Sequence, residues 1–170
     1  VNNAFRSYDF DPEQRKMFWD LNWDHYQSQL EGSLLSTHTL CKAVLPLMQR
    51  RAKGSIINIT TDLIAKPSIP YHDYTTAKSA LTGFSKNLAV ELGPFGIRVN
   101  CVAPSLSKSK IAEPMLKNPA VAEGIAKAHP LKRLGEGKDS AALAKFLITE
   151  DSSWVTGQVI AVDGGRSKIS

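Results

Sequence analysis

Tyr74 and Lys78 stand four residues apart in "YTTAK" (74–78), with only Thr75, Thr76 and Ala77 between them. A free phenol titrates at about 10 and is a poor acid or base at neutral pH. On a helix, positions i and i+4 share a face, so the two side chains are neighbours. An ammonium beside a phenol favours the phenolate and pulls the tyrosine's pKa toward working pH. The pair then serves as a general acid/base. Two ordinary helix-surface residues give the same spacing, so the pair alone decides nothing. A hydroxyl upstream adds weight: Thr61 lies just past an apolar, strand-like run, thirteen residues before Tyr74. Ligands of open α/β sheets bind outside the carboxyl ends of the strands. A threonine hydroxyl there can donate to a substrate oxygen while the tyrosine exchanges its proton.

The elements that must position these groups follow from hydrophobic pattern. "SIINIT" (55–60), "IRVNCVAP" (97–104) and "QVIAVDGG" (158–165) are rich in β-branched residues and bounded by Gly or Pro, which predicts buried strands. Helical periodicity fills the intervals. One stretch runs roughly from Pro12 to Arg51, broken near Asn22 and Gly32, with Leu30, Leu34, Leu35, Ala43, Val44 and Leu47 as its apolar side and Pro46 as a kink. A second begins after Asp73 as N-cap and stops at Gly93-Pro94. A third spans 139–149, with Ala142, Leu143, Phe146 and Leu147 on its apolar side. Strands alternating with helices predict an α/β fold with a parallel sheet covered on both faces. The polar, Pro- and Gly-punctuated stretch 105–138 is long enough to form a mobile lid within this single domain, 1–170.

Composition sets the context. A chain of 170 residues suffices for one domain with a real core, and its net charge of +5 is scattered. The densest cationic run, "QRRAK" (49–53), suits the negative end of a helix and has no interleaved aromatics, which argues against nucleic acid. Cys41 and Cys101 fall inside elements and are expected as reduced core thiols. No apolar run reaches membrane-spanning length and no signal peptide is visible, so a cytoplasmic location is expected. "NIT" (58–60) fits a glycosylation pattern but sits in an apolar strand, where it is set aside.

Taken together, Thr61, Tyr74 and Lys78 resemble the hydroxyl residue and the Tyr-x-x-x-Lys motif of the short-chain dehydrogenase/reductase family. "VNNA" (1–4) resembles that family's Asn-Asn-Ala-Gly strand end, and "GIRVNCVAP" (96–104) the strand leading to its nicotinamide loop. "HPLKRLGE" (129–136) and "WVTGQVIAVDGG" (154–165) resemble its C-terminal signature. Within the family the chain looks most like the 3-oxoacyl-(acyl-carrier-protein) reductase-like branch. The resemblance implies a Rossmann-like three-layer fold and a carbonyl/alcohol oxidoreductase using NADP or NAD. It implies Tyr74 as acid/base, Thr61 as substrate-orienting hydroxyl, and Lys78 as both ribose holder and pKa modifier. It places Ser33 in the proton relay. Asn3, Tyr74, Lys78, Ser107 and Ser109 become cofactor contacts, and no metal is assigned. It also implies a homodimer or homotetramer, in keeping with the wide apolar arc of Ala80, Leu81, Phe84, Leu88, Ala89 and Leu92 on the second helix.

Five departures accompany the resemblance. Thr61 stands where the family has serine, Ser33 where it has asparagine, and Phe5 and Ser105 where it has glycine. Ser109 for threonine is a milder change. No Gly-rich turn able to cradle a pyrophosphate exists in the chain. "GEGKDS" (135–140) superficially resembles a P-loop end but lacks the upstream glycine. The resemblance begins at the family's fourth strand, so the N-terminal nucleotide-binding strands are expected in a longer natural polypeptide. Two functions follow: a working NAD(P)(H)-dependent enzyme on a small carbonyl or alcohol, or a non-catalytic family member with an assembly role.

Overall fold

The computed structural model describes residues 1–167. Three parallel strands, β1 (Gly54–Ile59), β2 (Ile97–Pro104) and β5 (Val159–Val162), form a sheet in the order β1-β2-β5. Gly54 pairs with Ile97 and Cys101 with Val159. Asn2 extends this sheet on the far side of β1: its N–H donates to Ile57 O at 2.7 Å and its carbonyl accepts from Ile59 N at 3.0 Å. The sheet edges differ slightly from expectation, with β1 one residue earlier and β5 ending before Asp163, where the chain turns.

Among the described residues, six α-helices accompany the strands: α1 (Trp23–Leu30), α2 (Ser36–Arg50), α3 (His72–Leu92), α4 (Glu113–Leu116), α5 (Pro119–Ala128) and α6 (Gly137–Ile148). Alternate β1 residues face opposite sides, as pleating requires. Ile56 joins Cys41, Ala89, Leu92, Ile97 and Val99 under α2 and α3. Ile57 joins Val102 and Leu147 under α6. The result is a three-layer α/β sandwich with a core on each face of the sheet.

Several expected details change. The first helical stretch starts only at Trp23, where Asn22 accepts from His25 N in a capping box. Residues 12–22 instead form turns and a short 3-10 helix (Phe18–Asp20). Near Gly32 the helix does not break; it widens into a π turn, Glu31–Leu35, and continues through Pro46. The glycine is needed there for close approach: a Cβ would lie 2.5 Å from both Arg6 N and Arg6 Cγ.

The buried side of this helix carries Gln29, Ser33, Thr37 and Cys41, whereas Leu35, Val44 and Leu47 are exposed. Apolar periodicity misassigned the face because its inner stripe is small and polar. The second helix is capped by Tyr71, and Asp73 lies inside its first turn. Most of its wide apolar arc is used within the chain: Leu81, Ala89 and Leu92 are buried, and Phe84 and Leu88 pack on the same core. In the third helix Leu147 is buried but Phe146 is exposed.

The 105–138 stretch is more ordered than a simple loop. It holds α4 and α5, and its ends are tied by a short parallel pair, β3 (Ser107–Lys108) with β4 (Gly135–Glu136). Both cysteines are buried and unpaired. The side chain of Asn58, the glycosylation-like asparagine, is fully buried, donating to Ser85 Oγ at 2.7 Å and accepting from Asn2 at 2.7 Å.

Candidate active site

Three elements converge at the carboxyl end of β1. Thr61 follows the strand and caps a 3-10 turn (Asp62–Ile64), its Oγ1 accepting from Leu63 N at 3.3 Å. Helix α3 starts at His72 and brings Tyr74 and Lys78 onto one face, both buried, at 9% and 3% exposure. Lys78 Nζ donates to Ile59 O at 2.9 Å and lies 5.8 Å from the Tyr74 ring centroid. The β1–α3 loop thus delivers a hydroxyl, a phenol and an ammonium to one spot.

The electrostatics differ from the simple two-residue expectation. Tyr74 is pushed up to about 12, chiefly by burial, with a further rise from the Asp62 charge and an opposing pull from hydrogen bonding to Thr61. Lys78 is pushed down to about 8, again by burial. Desolvation therefore outweighs the lysine's expected pull on the phenol. At neutral pH the pair is a protonated phenol beside a mostly charged ammonium.

An aromatic cover on Tyr74 had no sequence signal beyond the presence of rings in residues 5–10. Phe10 meets its ring edge-on at 5.0 Å, Tyr8 lies at 5.3 Å and Phe5 at 6.3 Å. Two hydrogen bonds fasten this segment to the start of α3. Tyr8 donates to Asp73 Oδ1 at 2.7 Å, and Tyr71 donates to Phe10 O at 2.6 Å. Phe5 also stands over Lys78, its centroid 5.4 Å from Nζ. The glycine-to-Phe5 departure thus places a ring beside the ammonium.

The remaining expected residues are dispersed. Ser33 sits in the π turn that packs on α3; it is 0% exposed, and its Oγ, like Gln29 Oε1, has no hydrogen-bond partner among the described residues. Asn3 is exposed, next to the bridged Asn2. Ser107 Oγ donates to Ser105 O at 3.1 Å, and Ser109 Oγ accepts from Ala112 N at 3.3 Å, so both hold the local backbone of the 105–138 stretch. Ser105, the other glycine replacement, contacts His129 Nε2 at 3.0 Å and ties β2 to the end of α5.

Fold and site together define a Rossmann-like α/β protein with a hydroxyl, a phenol and an ammonium gathered at strand ends. The family profile described as enoyl-(acyl carrier protein) reductase matches residues 1–167. The human dehydrogenase/reductase SDR family member 4 is 34% identical over 146 residues, covering 86% of this chain and 52% of that protein. The Bos taurus protein of the same name is 36% identical over 143 residues, covering 84% of this chain and 50% of the relative. Among solved structures, a 3-oxoacyl-[acyl-carrier protein] reductase with bound NAD from Brucella melitensis superposes with a TM-score of 0.84 at 32% identity. That match covers 96% of this chain and 60% of the other. The chain belongs to the short-chain dehydrogenase/reductase family, and it spans about half the length of these curated relatives. No helix among the described residues is long and apolar enough to cross a membrane.

Proposed function

We propose that the protein is a nicotinamide-dependent oxidoreductase interconverting a carbonyl and an alcohol, with Tyr74 as acid/base. The observation that supports this most is the convergence of Thr61, Tyr74 and Lys78 at the end of β1. The donor chemistry fits the cofactor's nicotinamide end: Lys78 spends one N–H on Ile59 O and keeps two for a ribose diol. NAD bound to the Brucella melitensis relative is consistent with this assignment. When bound, the cofactor supplies or accepts the hydride.

The chain's residues handle the proton. Thr61 donates to the substrate oxygen and fixes its distance from Tyr74. The buried phenol, protonated at neutral pH, gives its proton to the developing alkoxide, which suits the reductive direction. Lys78 holds the ribose and supplies positive charge to the phenolate that results. Ser33, buried with a free hydroxyl oxygen, is the relay member that returns a proton to the phenol. Asn3, Ser107 and Ser109 are the further cofactor contacts we propose. The aromatic rings of Phe5, Tyr8 and Phe10 exclude water from the phenol and favour a substrate with apolar flanks. A small-molecule carbonyl, including a 3-oxoacyl group, meets these requirements, and a homodimer or homotetramer is the proposed assembly.

An assembly role without catalysis has less to support it, because the acid/base pair is intact. The test is Tyr74→Phe in the full-length protein, assayed as NAD(P)H consumption with a carbonyl panel. Loss of turnover in a folded variant that still binds cofactor supports the reading; retention of most of the wild-type kcat overturns it.

A further inference from the structure

We propose that Arg166 is a positioning residue for the Thr61/Tyr74 pair, acting through a buried ion pair with Asp62. The inference rests on the proposed acid/base role of Tyr74. Asp62 directly follows Thr61 and opens the turn that Thr61 caps; its carbonyl accepts from Ala65 N and Lys66 N, both at 3.0 Å. Its carboxylate pairs with the Arg166 guanidinium, side-chain exposures being 2% and 13%. The same guanidinium donates to Ser68 Oγ, and Lys66 Nζ donates back to Arg166 O at 3.2 Å. Arg166 therefore grips the β1–α3 loop at Asp62, Lys66 and Ser68, between the two residues that loop must deliver.

The arginine is itself held by a built turn. Asp163 accepts from Gly165 N at 3.0 Å and from Ser167 N at 2.7 Å, and its carbonyl accepts from Arg166 N at 3.1 Å. Gly164 and Gly165 adopt φ of 59° and 89°, backbone that favours glycine. The "DGGRS" segment (163–167) is thus a bracket that aims a guanidinium across the sheet end at Asp62.

Charge gives the bracket a second task. Asp62 is an anion facing the phenol and raises its pKa. Among the described residues, the charged and titratable groups around this spot are Arg166 on Asp62, Lys66 on the Arg166 carbonyl, Lys78 beside Tyr74, and Tyr8 with its partner Asp73 on the outer side. Of these, Arg166 alone is paired with Asp62. It compensates the buried carboxylate's charge where it sits. A buried carboxylate stripped of its partner is costly and reorganises its surroundings.

The test compares Arg166→Met, Arg166→Lys, Asp62→Asn and the Asp62→Asn/Arg166→Met pair in the full-length protein. Arg166→Met is expected to lower kcat by about 10- to 100-fold, as displaced catalytic geometry does, with a smaller change in cofactor KM. Arg166→Lys is expected to recover only part of kcat, since lysine keeps the charge but not the fork. The double variant is expected to recover more kcat than Arg166→Met alone. Amide hydrogen exchange at Ala65 and Lys66, which donate to Asp62 O, is expected to quicken in Arg166→Met. That readout needs no turnover, so an inactive wild type would sink the oxidoreductase reading while still judging this one. A folded Arg166→Met protein with unchanged exchange at those amides overturns the inference, as does a kcat loss that Asp62→Asn fails to relieve.

Discussion

Lys78→Met is expected to stabilise the protein at neutral pH while removing its activity. The lysine is 3% exposed, and burial pushes it from 10.5 down to about 8. At pH 7 the folded state must hold an ammonium that prefers water. A depression of that size corresponds to about 3 kcal/mol of cost to the charged form. Methionine has a similar length, carries no charge and suits irregular apolar space. Its cost is the orphaned Ile59 carbonyl, which Lys78 serves at 2.9 Å; an unsatisfied buried acceptor costs about 1–3 kcal/mol. The difference leaves a net gain of about 1 kcal/mol at pH 7. The pH dependence is more telling than the size. From pH 8 to 10.5 the unfolded lysine binds more protons than the folded one, so wild-type stability rises with pH through that window. The variant lacks this rise, and its advantage shrinks and then reverses as pH approaches 10. Urea denaturation of both proteins at pH 7 and pH 9.5 measures it. A pH-independent difference, or a loss of about 2 kcal/mol or more at pH 7, refutes burial of a charged lysine as the dominant effect.

The other expectations are shorter. Because the Tyr74 phenol sits at about 12, reductive turnover by the full-length protein should not fall through ionisation of Tyr74 between pH 6 and 9; phenolate absorbance that appears in that range in the wild type and is missing from Tyr74→Phe counts against the burial argument. Gly96→Ala is expected to destabilise by more than 1 kcal/mol, since φ is +68° and the new Cβ would lie 2.4 Å from Ala52 O; thermal unfolding reads it. Asn58→Leu breaks the Asn2–Asn58–Ser85 chain and should cost about 2–3 kcal/mol in denaturant titration. Light scattering is expected to show a homodimer or homotetramer, and a monomer at micromolar concentration would refute that assembly.

The sheet was legible because its strands are buried on both faces and read as continuous β-branched runs between Gly and Pro. The helix faces were less so. Periodicity locates a helix by its apolar stripe, and α2 turns Thr37 and Cys41 inward while leaving Val44 and Leu47 exposed. The π turn at Glu31–Leu35 is set by the contact of Gly32 with Arg6, residues far apart in sequence. A glycine there reads as a break unless its tertiary neighbour is known. Asp73 is a good cap by type, yet its carboxylate serves Tyr8, and Tyr71 takes the cap position.

The shared helix face of Tyr74 and Lys78 could be read from spacing, but their energetics could not. A phenol and an ammonium four residues apart suggest mutual stabilisation, which holds only where both remain solvated enough for charge pairing to dominate. Here the Phe5, Tyr8 and Phe10 rings and the end of β1 remove water from both groups. Burial then moves each pKa toward its neutral form, the tyrosine up and the lysine down. The residue that spacing most undervalued is Phe5, read only as a replaced glycine. Its ring beside Lys78 couples the segment after the first sheet position to the chemistry at α3. A smaller residue there would rehydrate the ammonium and let its pKa rise toward the ordinary lysine range, increasing the positive charge that a Tyr74 phenolate needs.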